Sequence, residues 1–114
     1  MSDDTQQRID HMVKTYPVML FMKGTPDAPQ CGFGNMAANI LNDIGVRFAA
    51  FNVLSDPEVR QGIKTYADWP TIPQLYVKGE FVGGSDIMRE MWEAGELQAL
   101  VAGSTIPLLT SSWT

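Results

Sequence analysis

The sequence predicts an α/β fold built on a mixed β-sheet, and three observations carry that prediction. Val18 to Met22 is an unbroken apolar run, as expected of a strand buried on both faces. A helical pattern and a second strand-like stretch follow it, and a strand–helix–strand unit with one crossover implies parallel pairing and a right-handed connection. Further on, Lys78-Gly79 separates two short apolar stretches, which reads as an antiparallel hairpin. Parallel and antiparallel pairing in one chain make the sheet mixed.

The elements follow in order. Ile9, Met12, Val13 and Tyr16 fall at i, i+3, i+4 and i+7, one face of an N-terminal helix that stops before Pro17. His11 lies off that face with no second histidine nearby, so it is expected to be solvated rather than a metal ligand. The strand Val18–Met22 ends in a loop from Lys23 to Cys31. Phe33, Met36, Ala37, Ile40, Leu41 and Ile44 then form a helical stripe that ends at Gly45. Its methionines read as core filler. Val46 to Val53, with Phe48 and Phe51, reads as the second strand. Asp56-Pro57 starts a helix, a capping side chain followed by proline at the first position. Val59, Ile63 and Tyr66 are expected on its buried face, and Arg60 and Lys64 share another.

Trp69-Pro70-Thr71-Ile72-Pro73 carries two prolines within four residues, which forbids a helix and fixes an extended turn. Gln74 to Val77 and Glu80 to Val82 form the hairpin. After Gly83-Gly84, Ser85-Asp86 opens a helix with an acidic first turn, on which Ile87, Met91 and Trp92 are expected to pack inward. Gly95 breaks it, and Leu97, Leu100 and Val101 suggest one more short helix. From Gly103 to Thr114 no period is present, so residues 1–102 are expected to form the domain and residues 103–114 a loosely ordered tail.

The totals bound what such a chain can do. A length of 114 residues suits one domain with an ordinary core, and 45% hydrophobic with 18% charged residues is unlike a disordered chain. A net charge of −5 argues against non-specific nucleic-acid binding, which needs a basic footprint. No apolar stretch approaches the roughly 20 residues that span a bilayer. The first ten residues are polar, with Arg8 their one basic side chain, and resemble neither a signal peptide nor a transit sequence. A single cysteine excludes an intramolecular disulfide and fits a reducing compartment, so a cytoplasmic protein that binds neither nucleic acid nor membrane is expected.

That cysteine, Cys31, sits where the Lys23–Gly34 segment turns from strand into helix. The first-turn N–H groups of a helix lack intrahelical partners and its dipole favours negative charge, so both stabilise a thiolate. The thiolate is the nucleophilic and metal-ligating form. Lys23, across the turn, adds a positive charge. Most free cysteines are inert small apolar residues, but glycine, proline and lysine crowding one helix start favour a functional Cys31.

Cys31-Gly-Phe-Gly34 after the Lys23 loop, then Trp69-Pro-Thr-Ile-Pro73, then Gly83-Gly-Ser-Asp86, resembles the monothiol glutaredoxins of the Cys-Gly-Phe-Ser type. The three motifs stand in order over roughly residues 6–100. The resemblance implies a thioredoxin-like fold, a four-stranded mixed sheet flanked by helices on both faces, and the element order above agrees with it. It makes Pro73 a cis proline that exposes the Ile72 main chain beside Cys31 for pairing with an extended peptide, glutathione. Asp86 and the helix start at Ser85 match the family's contacts to the γ-glutamyl end. Lys23 and Arg60 match the cations facing the glycine carboxylate, with Lys64 in an assisting place, although a solvated helix face explains Arg60 and Lys64 as well. Gly83-Gly84 would let the ligand approach the main chain, or simply end a hairpin.

Glycine at position 34 closes the two-cysteine route to resolving a mixed disulfide. The family's other task is holding a [2Fe–2S] cluster, which needs four thiolates. One chain supplies Cys31, so the count implies a homodimer bridged by the cluster and completed by two glutathione molecules. The resemblance thus implies a cluster carrier that serves apo iron–sulfur proteins and pairs with a BolA-like protein. The alternative it leaves open is an oxidoreductase, at most weakly active, that uses Cys31 and glutathione on glutathionylated proteins; a redox-inert adaptor is the third reading. One departure matters: Gly34 replaces the family's usual serine and removes a hydroxyl near the sulfur, from which a more labile cluster is expected.

Overall fold

The computed structural model describes residues 3–102, and the tail expected from Gly103 onward lies outside them. The elements are α1 (Asp3–Thr15), β1 (Val18–Met22), α2 (Gly32–Ile44), β2 (Ala49–Asn52), a 3₁₀ turn (Val53–Ser55), α3 (Pro57–Ala67), β3 (Gln74–Val77), β4 (Glu80–Gly83), α4 (Ser85–Glu93) and α5 (Glu96–Ala102). The strands form one sheet in the order β2-β1-β3-β4. β1 pairs parallel with β2 and antiparallel with β3, and β3 pairs antiparallel with β4. The mixed four-stranded sheet is therefore present.

Alternation along β1 sorts its apolar run into two cores. Val18, Leu20 and Met22 face α2, α4 and α5, where they pack with Leu41, Met88, Leu97 and Val101. Met19 and Phe21 face α1 and α3, where they meet Ile9, Val13, Val59, Ile63 and Tyr76. Every β1 side chain is buried, which explains why the strand is apolar throughout. Fully burying one such side chain contributes about 1.5–3 kcal/mol.

Local signals act where they stand in the sequence. Gly45 ends α2 in the left-handed conformation, at φ 84°. Asp56 caps α3 by accepting from the Glu58 and Val59 amides, with Pro57 at the first position. Lys78 and Gly79 both have positive φ, as the tight hairpin turn requires.

Four expectations need correction. The second strand begins at Ala49, because Val46 packs into the core from the loop after Gly45. It ends at Asn52, whose side chain caps the 3₁₀ turn by accepting from the Leu54 amide. Tyr16 lies past the end of α1 and is exposed, and Phe33, in the first turn of α2, is 58% exposed. On α4 the fully buried residue is Met88, not Ile87: Met88 packs in the core with Met91 and Trp92 against it, while Ile87, one turn before Met91, stands at the edge of that stripe and is exposed.

Candidate functional site

The site is assembled at the end of β1, where the chain reverses before α2. Gly24, at φ +87°, makes the turn possible; a Cβ there would lie 2.6 Å from the Ala28 carbonyl oxygen and 2.7 Å from the Gln30 nitrogen. The loop closes through the Gln30 amide donating to the Lys23 carbonyl at 3.0 Å and through reciprocal bonds between Thr25 and Ala28. From outside the loop, Asn52 at the end of β2 accepts from the Gly24 amide at 2.9 Å. One polar side chain thus ties the Lys23 turn to the neighbouring strand.

Cys31 occupies the N-cap position of α2 in an extended conformation and is half-buried. Its thiol closes no capping hydrogen bond, yet the Gly34 and Phe33 amides are directed at it. The Gly34 amide, then the Phe33 amide, hold the thiol below its ordinary pKa; partial burial opposes them and the Lys23 charge adds to them. The site therefore favours a thiolate. Gly34 itself is not demanded by packing, since a Cβ there would meet Met22 at 3.5 Å, ordinary contact.

A cavity of about 450 Å³ opens beside the sulfur. Cys31, Lys23, Ile72, Ser85 and Asp86 all line it, which brings together β1, the loop before β3, and the N-termini of α2 and α4. Lys64 of α3 also lines it, whereas Arg60, one turn earlier, is exposed and is not among the lining residues. Phe33, Pro70, Thr71 and Pro73 complete the wall, and of these the sequence alone marks only Pro73 as a site residue. Thr71 sits inside a proline-flanked motif that pointed to it; Phe33 was hidden because its spacing matched the apolar stripe of α2.

The Ile72–Pro73 bond is cis. Ile72 is buried, and among the described residues nothing hydrogen-bonds its main-chain N–H or C=O. The glycines at 83 and 84 make room for the protein itself: a Cβ at Gly83 would fall 2.7 Å from Ile87, and one at Gly84 3.3 Å from the Pro73 carbonyl oxygen. Neither lines the cavity; together they let the α4 N-terminus close against the Trp69–Pro73 loop.

The arrangement has a defined chemistry. It presents one activated sulfur, two ammonium groups on Lys23 and Lys64, a carboxylate on Asp86, and an unpaired stretch of main chain. That set suits a short peptide bearing carboxylates, an amino group and a thiol.

The glutaredoxin family model matches residues 18–82. A monothiol glutaredoxin, ycf64-like, of Synechocystis sp. is 56% identical over 101 residues, which cover 89% of this chain and 94% of that protein. Monothiol glutaredoxin-S11 of rice is 52% identical over 100 residues, but this chain spans only 20% of its length. The solution structure of reduced poplar apo GrxS14 superposes with a TM-score of 0.76 at 45% identity, covering 87% of this chain and 91% of that one. With a single cysteine set at the start of α2, this chain belongs to the glutaredoxin family, among the monothiol glutaredoxins, whose roles depend on glutathione.

Proposed function

We propose that this protein carries [2Fe–2S] clusters with glutathione as a co-ligand. The observation that supports this reading most is the half-buried Cys31 thiol, held below its ordinary pKa at the edge of a cavity lined by Lys23 and Lys64. Each chain offers one thiolate, and among the described residues no group of three or more His, Cys, Asp or Glu could hold a metal alone. A [2Fe–2S] core takes four thiolates. Two chains and two glutathione molecules supply them, so the loaded form is a homodimer bridged by its cargo. Within each cavity, glutathione pairs its main chain with Ile72. Its carboxylates go to the lysines and to the α4 N-terminus at Ser85, and its amino group goes to Asp86. Arg60, at the rim of α3, adds charge from outside. Half of the ligands come from solution, so the cargo is readily handed on, to apo iron–sulfur proteins and in a mixed complex with a BolA-like protein. The cytoplasm, a reducing compartment, suits a free thiol of this kind.

Anaerobic reconstitution with iron, sulfide and glutathione tests this reading. The expected product is a coloured dimer that loses its absorbance when glutathione is removed and does not form in Cys31→Ser. A colourless monomer, or a cluster that persists without glutathione, would overturn it.

The depressed thiol pKa also favours a second reading, a monothiol oxidoreductase. Cys31 thiolate attacks the glutathione sulfur of a mixed disulfide and expels the client thiolate. A second glutathione thiolate then attacks the same sulfur, releasing glutathione disulfide and restoring Cys31. Fast turnover of a glutathione mixed disulfide would rank this reading first.

A further inference from the structure

Behind the cavity wall formed by residues 70–73 lies a polar pair that the chemistry above does not use. Gln74 is fully buried, and its amide nitrogen donates to the Trp69 carbonyl at 3.2 Å and to the Thr71 carbonyl at 3.1 Å. Its amide oxygen accepts from the Tyr76 hydroxyl at 3.0 Å. Burying an amide is costly unless its hydrogen bonds are made, and here both donor hydrogens and the oxygen are engaged. Two residues apart on β3, the two side chains share one face of the sheet. The Tyr76 ring is buried there, edge-on to Phe21 at 5.7 Å and against Phe81 at 5.4 Å, so its hydroxyl reaches Gln74 from a closely packed ring.

We propose that Gln74, anchored by Tyr76, is the positioning residue that sets the Trp69–Pro73 loop, whose residues 70–73 wall the glutathione cavity. Drawing the Trp69 and Thr71 carbonyls inward spends the hydrogen-bonding capacity of the loop on the buried side. The Ile72 main-chain groups are left without an internal partner, beside a cavity that Pro70, Thr71 and Ile72 line. An apolar residue at position 74 would fill the same volume in a sheet core, but it would leave two carbonyls unheld. The assignment rests on the reading of this cavity as a glutathione site.

The test compares the full chain with Gln74→Leu, Gln74→Glu and Tyr76→Phe. Reduced glutathione is titrated by NMR, and the Cys31 thiol is titrated by thiolate absorbance. Gln74→Leu and Gln74→Glu are expected to weaken glutathione binding about tenfold or more, and Tyr76→Phe about threefold to fivefold, as loss of one internal hydrogen bond suggests. The Cys31 titration should not move, because its determinants sit on α2 and at the end of β1. If the glutamine variants do not fold, Tyr76→Phe decides, since it keeps the packed ring. Wild-type binding in every folded variant overturns the assignment alone, as does a loss of binding that comes with a shifted Cys31 titration. Failure of the unsubstituted protein to bind glutathione overturns the cavity reading, and this assignment with it.

Discussion

The sulfur of Cys31 owes its acidity to position more than to neighbouring charge. The Gly34 and Phe33 amides are among those that α2 leaves without intrahelical partners, and they rank above the Lys23 charge in lowering the thiol pKa. Main-chain N–H groups survive every substitution except that by proline, and no salt bridge to the sulfur has to be kept intact. A folded-state pKa below the ordinary thiol value means that the thiolate persists as pH falls through the range where a free cysteine has become protonated. The rate of Cys31 alkylation by iodoacetamide is therefore expected to inflect at lower pH than that of a denatured control. Lys23→Met should move the inflection upward yet leave it below the control, because the two amides remain. An inflection coinciding with the denatured protein in either form would refute this ordering of causes.

At the scale of elements, α1 holds α3 by polar contacts spread along α3, the last of them from the Tyr66 hydroxyl to Asp10 at 2.6 Å. Arg8 pairs with Asp56 at 2.8 Å, Thr5 donates to Glu58 at 3.0 Å, and Gln6 donates to the Gly62 carbonyl at 3.1 Å. Asp56 serves twice, since it also caps α3, and Arg8 first and the Val59 amide next hold its carboxyl below the usual range. A carboxyl with a lowered folded-state pKa adds stability above its unfolded value near 3.9, and that part is lost as pH falls through the folded value. Asp56→Ala is thus expected to cost about 0.5–2 kcal/mol near neutral pH. Its deficit should shrink in acid, a change readable in melting temperatures taken across the pH range. The same helix shows what could be read from the chain and what could not. Asp56-Pro57 is a local signal, and so are Gly45 and Lys78-Gly79; each works through its own backbone, so sequence reveals it. Asn52 and Gln74 are ordinary polar residues in strands, and their importance comes from carbonyls and amides brought to them by the fold. Phe33 and Ile87 failed for a related reason, because helical spacing defines a stripe but not which part of it the sheet reaches.

The molecule as a whole carries a net charge of −5, yet the end that bears Cys31 gathers Lys23 and Lys64 at one cavity. Two ammonium groups beside the Asp86 carboxylate give a zwitterionic peptide a partner for each of its charges, while the acidic remainder of the surface repels acidic macromolecules. The motif match placed Arg60 first among the α3 cations, but Lys64 lines the cavity and Arg60 stands exposed outside it. Two roles follow from those two places. In the proposed glutathione site Lys64 is a direct partner of a carboxylate, so Lys64→Ala is expected to weaken binding about tenfold, in the range of a charge-assisted hydrogen bond. Arg60→Ala removes a more distant charge and should cost about threefold or less, an effect that vanishes as salt rises and the Debye length falls from about 10 Å at 0.1 M to about 3 Å at 1 M. Glutathione titrations of both variants at low and high salt separate the two. Equal losses for both, or a Lys64→Ala loss abolished by salt, would mean that the carboxylate is held by the general field of this face and not by the lysine that lines the cavity.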